Sequence, residues 1–330
     1  MIRYFLIFLI LFVIIHSDTN AQDSISPPDP NVPTKVFVSM ILNNISDINA
    51  ATQIMKTDVF FRVRWNDPRL AHKSGHRTIK NIDEIWDPWL TFSNRLNITK
   101  AFPEIVTVLN DGTVIYMQRV YGDFSQDFHL KDFPFDRQIF KIGMVAIGLS
   151  ASEVEILPDS ESESGISERF ILPDWKILDW KYDNSSYSYL KTSPPLPSIS
   201  FMFTAKRQGG FYILIYVIPL ILIIMMSWMV FWLGPKLAAP QIAVATTSML
   251  TLIAYRFVVS GNLPKISYMT RMDIFVLCSS ILIFFTLINA VITTTLASRG
   301  DEKTALKIDF HCRWIFPLLY VIVCLVAFTP

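Results

Sequence analysis

Hydrophobic positions divide this chain into two unlike parts. Before about residue 208 they come in short alternating runs, Lys35–Leu42, Thr57–Trp65, Val114–Arg119, Gln138–Val145 and Ser198–Ala205, rich in Val, Ile, Phe and Tyr. Alternation with a period of two sends successive side chains to opposite faces, so each run predicts a strand with one buried face. Asn110-Asp111-Gly112 lies between two runs and suits a hairpin turn, and Pro194, Pro195 and Pro197 interrupt a loop before the last strand. A helical period shows only near Ile79–Glu84. The pattern predicts an antiparallel, immunoglobulin-like β-sandwich.

Beyond Phe211 the pattern changes to four long apolar segments, Phe211–Leu233, Gln241–Val259, Asp273–Leu296 and Trp314–Phe328. With their flanks they predict helices over about 211–233, 240–260, 268–297 and 310–329, each near the ~20 residues that cross a bilayer. Pro219 in the first is tolerated when neighbours satisfy the freed carbonyl. Gly234-Pro235-Lys236, Gly261–Lys265 and a charged stretch, Ser298–Asp309, connect them, and short connections make antiparallel neighbours. The sandwich therefore leads into a four-helix transmembrane bundle.

Met1-Ile2-Arg3, the apolar run Tyr4–Ile15 and the small residue Ala21 have the layout of a secretory signal peptide, residues 1–21. The expected organisation is then an exported domain over 22–208 and a membrane domain over 209–330. Export fixes the orientation: the first span runs inward and Ser298–Asp309 is cytoplasmic. Lysine and arginine counts on the two sides agree only weakly with the positive-inside rule.

Composition adds exclusions. Lys and Arg total 29 against 28 Asp and Glu, a formal net charge of +1; without a basic stripe, no nucleic-acid partner is expected. The three cysteines, Cys278, Cys312 and Cys324, all fall in the apolar part and none can staple the exported domain. No metal-ligand spacing, nucleophile elbow or phosphate loop appears, so neither an enzyme nor a cofactor is expected.

Several motifs then coincide in order and spacing. Trp65-Asn66-Asp67-Pro68-Arg69-Leu70, Ile85-Trp86-Asp87-Pro88 followed by Asn94, and Phe133-Pro134-Phe135-Asp136 together resemble the Cys-loop receptor superfamily of pentameric ligand-gated ion channels. The resemblance covers nearly all of the mature chain. In animal members the last motif lies in a disulfide loop whose cysteines would fall at Gln126 and Phe140. Their absence, with the short cytoplasmic loop, is similar to the prokaryotic form. The resemblance implies a homopentamer around a central pore, in contact with membrane lipids and permeant ions. It also implies a multi-pass protein of the cell inner membrane with its N-terminal domain in the periplasm.

On the second span Ala243, Thr247, Leu250, Ala254 and Phe257 recur at intervals of four and three, which puts them on one helical face. Periodicity alone leaves this seam equally suited to packing against neighbouring helices; the resemblance selects a pore lining. Thr247 then offers hydroxyls to a permeant ion, and Leu250 to Phe257 form apolar rings that close by dewetting. The inner mouth, Leu237-Ala238-Ala239-Pro240-Gln241, carries no fixed charge, and the bacterial pattern implies cation selectivity, with an anion-selective channel of the same fold as the alternative.

Three loops meet where sandwich and helices join, and by resemblance Asp47, Pro134, Asp136, Arg207 and Pro264 couple the two; a static ion-pair cluster is the plainer reading. Agonists in the family bind in an aromatic cage between subunits, which implies Phe60, Phe92, Tyr116, Ile147, Tyr187 and Tyr189. Ile147 and Ser93 stand where amine receptors place aromatics. A small amine-like agonist and protons are both open, the latter acting on His72, His76, His129 or the acids Glu153, Glu155, Glu161 and Glu163. A membrane-tethered sensor that conducts nothing is the rival function.

Overall fold

A computed structural model gives the fold. It describes residues 26–328 except 169, 171, 173, 185 and 263–265, so the expected signal peptide and Pro264 lie outside the described residues.

Among the described residues, twelve strands form two sheets: β1 (Thr34–Asn49), β2 (Ile54–Asn66), β3 (Thr78–Asn81), β4 (Leu90–Phe92), β5 (Arg95–Lys100), β6 (Ile105–Val108), β7 (Thr113–Ser125), β8 (Arg137–Ala146), β9 (Val154–Pro158), β10 (Gly165–Ile166), β11 (Trp175–Asp183) and β12 (Ser198–Arg207). One sheet runs β10-β1-β2-β7-β6-β3, with β5 also on β7 and β9 also on β1; the other runs β11-β12-β8-β4. The expected runs all lie inside β1, β2, β7, β8 and β12. The sandwich is not wholly antiparallel, however: β9 and β10 pair with β1 in parallel. They reach β1 by crossing over from the other sheet after β8, a connection that alternation along each strand does not report.

Alternation does place the core. Phe61, Val63 and Trp65 on β2 and Val114, Val120 and Phe124 on β7 point inward and are buried. Between β6 and β7 the chain turns at Gly112, whose φ is 84°; a Cβ there would meet the Asp67 carbonyl oxygen at 2.5 Å. The helical period near Ile79–Glu84 resolves into β3 followed by a single 3-10 turn, Ile82–Glu84.

Four helices among the described residues follow, each long and apolar enough to cross a membrane: α1 (Gly210–Trp232), α2 (Ala238–Asn262), α3 (Arg271–Ser298) and α4 (Glu302–Phe328). A π-helical turn over Ile213–Val217, closed by the Ile218 amide hydrogen on the Ile213 carbonyl, ends two residues before Pro219, whose missing N–H already interrupts regular α-helical pairing there. The helix of α4 starts at Glu302, where apolar character begins only near residue 310. Gly300, at φ 91°, ends α3, and the Asp301 carboxylate accepts the Thr304 amide hydrogen at 3.2 Å to open the next helix. The charged residues beyond it are therefore helical, and the loop they were expected to form shrinks to Arg299–Asp301.

Candidate functional site

The junction between sandwich and helices is built on one buried ion pair. Arg207 Nε donates to Asp136 Oδ1 at 2.8 Å and a terminal nitrogen to Oδ2 at 3.2 Å, while the Arg207 amide donates to the Asp136 carbonyl at 3.1 Å. Both side chains are buried, and Gln138 Nε2 donates to the same carboxylate at 2.6 Å. The guanidinium lies 4.2 Å from the Trp175 ring centroid and 5.0 Å from that of Phe133. A buried charge pair needs such supplementary partners to offset its desolvation. Pro134 is buried, and Gly209 lets the chain pass it: a Cβ there would lie 2.7 Å from the Phe135 ring.

Asp47 does not join this pair. Two bulges, between Leu42 and Asn44 and between Ile45 and Asp47, turn the end of β1, leaving Asp47 exposed on the wall of a cavity of about 170 Å³ that Arg207, Phe133 and Tyr212 also line. Two contacts that the sequence reading missed reach the helices instead. The Leu130 amide donates to Tyr268 Oη at 2.9 Å, and Arg271 Nε donates to Asp132 Oδ1 at 2.7 Å. The loop carrying Phe133-Pro134-Phe135 thus grips the start of α3. No local pattern marks Tyr268 or Arg271, because their partners are more than a hundred residues away.

Gln126, at one position of the missing disulfide, closes the same loop by hydrogen bonds. Its Oε1 accepts the Lys141 amide hydrogen and its Nε2 donates to the Lys141 carbonyl, each at 2.9 Å. Phe140, at the other position, is buried and stacks on Phe203 at 5.0 Å.

On α2, Ala243, Thr247, Leu250, Ala254 and Phe257 are all exposed, Leu250 at 65% and Phe257 at 76%. Gln241, Ala245, Ser248, Leu252 and Val259 are buried. At about 100° per residue, the two sets lie on opposite sides of the helix. Packing within the subunit thus uses one face of α2, and the seam that the sequence singled out lies on the exposed face. Gln241 turns inward, donating to the Val230 carbonyl at 3.1 Å.

The six aromatic-cage candidates separate. Phe92, Tyr116, Ile147 and Tyr189 line one cavity of about 840 Å³. Phe60 and Tyr116 are on adjacent strands of one sheet and on opposite faces of it. Tyr116 is in register with inward-facing Val63, whereas Phe60 points outward, edge-on to Phe102 at 6.4 Å. Phe92 is core, held edge-on between Phe61 at 5.4 Å and Phe124 at 5.3 Å. Tyr187 packs on Tyr189 at 4.8 Å in the hairpin between β11 and β12. Trp86 is buried against Trp65.

Around the same cavity, Glu104 accepts from Lys100 Nζ at 2.7 Å and from Tyr116 Oη at 2.6 Å. Burial pushes its carboxyl up, but these two bonds outweigh that and hold it below the usual carboxylate range. Burial also pushes the Tyr116 hydroxyl up. Asp87 differs: burial raises its carboxyl, and the Trp89 amide hydrogen, at 2.5 Å, offsets this only in part.

Two family descriptions match the chain: the neurotransmitter-gated ion-channel ligand binding domain over residues 17–209 and the neurotransmitter-gated ion-channel transmembrane region over 216–307. Among curated proteins the chain is similar to the glycine receptor subunit beta of Rattus norvegicus, Mus musculus and Homo sapiens. It is 26% identical to each over 296 residues, which cover 86% of this chain and 59% of the relative. The chain thus spans about three fifths of the length of these relatives. With a β-sandwich matched by the first description and apolar helices by the second, the chain belongs to the neurotransmitter-gated ion-channel family, the Cys-loop superfamily, and is a multi-pass membrane protein with an extracellular domain.

Proposed function

We propose that five copies of this chain assemble around the seam of α2 and form a cation channel of the bacterial inner membrane, opened by a small agonist acting on the periplasmic sandwich. The observation that carries this reading is the seam itself. A helix that packs one face inside its own subunit and leaves Ala243, Thr247, Leu250, Ala254 and Phe257 exposed has a second face to give to a shared axis. Along it a hydroxyl stands on the inner side of two bulky apolar residues, which is the arrangement of a hydrated entrance below a dewetting gate. Asp136, Pro134 and Arg207 join the sandwich to α1, and Asp47 and Pro264 complete the coupling set.

The same face specifies neither sign of charge, and the cation assignment rests on the resemblance to the bacterial form. The face presents no carboxylate and no guanidinium at its inner end, and Lys236 beside it is held by Glu302 at 2.8 Å. Recording from purified protein in a planar bilayer with a sodium chloride gradient tests conduction and sign together. The expected reversal potential follows sodium; one that follows chloride overturns the cation assignment, and no unitary current under any agonist or pH leaves the non-conducting sensor.

A further inference from the structure

α1 departs from regular α-helix at two places, and α2 is bonded to it at both. Near the outer end Tyr255 Oη donates to the Tyr216 carbonyl at 2.6 Å, inside the π-helical turn Ile213–Val217. Near the inner end Gln241 Nε2 donates to the Val230 carbonyl at 3.1 Å, inside the 3-10 turn Met229–Trp232. At 1.5 Å per residue the two donors are about 21 Å apart along α2. Hydroxyls between them stay within the helix: Ser248 Oγ donates to the Val244 carbonyl and Thr251 Oγ1 to the Thr247 carbonyl, each at 2.8 Å. The outer bond is the more telling of the two, because π turns are rare and concentrate at functional sites.

This π turn also touches the junction with the sandwich. Tyr212 sits edge-on to Phe133 at 4.8 Å and stacks on Tyr216 at 5.9 Å, and the Arg207 guanidinium lies 5.8 Å from the Tyr212 ring centroid. Tyr216 is buried. Packed rings therefore run from the loop of Phe133-Pro134-Phe135 to the residue whose carbonyl holds α2. At about 100° per residue, Tyr255 points away from Phe257, two residues further on. The bond is on the back of α2 and the exposed seam on its front.

We infer that Tyr255 is the outer positioning residue of the pore helix. Its bond to the π turn holds the half of α2 that carries Leu250 and Phe257 in its narrow position, and opening breaks that bond while Gln241 keeps the inner end in place. Displacement of the Phe133 loop reaches the seam through Tyr212 and Tyr216, so the hydroxyl acts through Leu250 and Phe257 and touches no ion. The inference rests on the channel reading for its effect on current; the bond itself is testable without it.

Single-channel recording in planar bilayers, at matched pH, compares the unaltered protein with two variants. Tyr255→Phe deletes only the hydroxyl that reaches α1, and Ser248→Ala deletes a buried hydroxyl bonded inside α2. Spontaneous open probability is expected to rise at least fivefold in Tyr255→Phe at an unchanged unitary conductance, and to stay within twofold in Ser248→Ala. 3-Fluorotyrosine at position 255, a stronger donor of nearly the same shape, should lower open probability below that of the unaltered protein, a graded response that packing alone would not produce. An open probability in Tyr255→Phe within twofold of the unaltered protein overturns the inference, as does an equal rise in Ser248→Ala. Hydrogen exchange followed by mass spectrometry in lipid nanodiscs reads the bond without any current. Residues 213–218 should exchange at least fivefold faster in Tyr255→Phe, and equal exchange overturns the bond. Faster exchange with no current from any of these proteins supports the bond and sinks the channel reading.

Discussion

Arg207 and Asp136 show how much the surroundings of a residue alter what its replacement tests. If the pair were exposed, Arg207→Gln would simply remove a coupling contact. Both partners are buried, so the change strands an uncompensated carboxylate, at about 3–5 kcal/mol. The expected result is a large fall in thermal stability for Arg207→Gln, with a smaller fall when Asp136→Asn is combined with it, because two neutral amides leave no orphan charge. Differential scanning calorimetry of the purified protein checks this. Additive losses would show that the two residues do not act as a pair. Asp159 is a second buried carboxylate with a pH consequence. Burial raises its carboxyl, but the Arg64 hydrogen bond at 2.9 Å, the Glu161 amide and the charges of Arg64 and Arg62 outweigh that and lower it. A carboxyl lowered by folding contributes stability that is complete above its unfolded value of about 3.9 and is lost as pH falls through its folded one. Acid unfolding followed by circular dichroism should therefore be shallower below about pH 4 in Asp159→Asn than in the unaltered protein. Parallel curves would remove Asp159 from the acid response.

Among the elements, α2 carries the sharpest consequence. Its exposed seam places Leu250 and Phe257 where apolar side chains from five subunits would converge under the proposed assembly. Shrinking Leu250 to alanine widens such a ring, lets water persist and lowers the barrier to conduction. Basal current without agonist is expected to rise in bilayer recordings of Leu250→Ala, with no change in assembly by size-exclusion chromatography. An unaltered basal current would move the gate to Phe257. This element was legible in sequence because helical periodicity is local: intervals of four and three select one face whatever lies beyond it. The strands were legible for the same reason, with a period of two. Less legible were the parallel pairings of β9 and β10, which depend on where a connection crosses, and the start of α4. Its charged first turns are helical yet carry no apolar signal.

At the scale of the whole molecule, sandwich and helices meet through residues distant in sequence. Arg207 lies 71 positions from Asp136, and Tyr268 lies 138 from Leu130. The loop after β7 holds both contacts and is closed by Gln126 where relatives with a disulfide would use cysteines. Hydrogen bonds at Tyr268 and Arg271 tie this loop to the start of α3, and the buried pair of Asp136 and Arg207 ties it to the strand that leads into α1. The amide clip of Gln126 is weaker than a covalent bond, and it keeps the loop's reach because it spans nearly the same pair of positions.

The sequence by itself determined the division into an alternating and an apolar part, the number of spans, the seam of α2 and the motifs at Asp67, Asp136 and Arg207, all of which are patterns within a few residues or matches to a family. Tertiary structure decided which residues act together. It put Tyr116 and Phe60 on opposite faces of one sheet, left Asp47 outside the ion pair and brought Asp87 to the wall of a cavity lined by side chains from both sheets. The physical reason is that periodicity fixes the face a residue occupies, whereas its partners depend on strand order and register, which come from packing the whole chain at once.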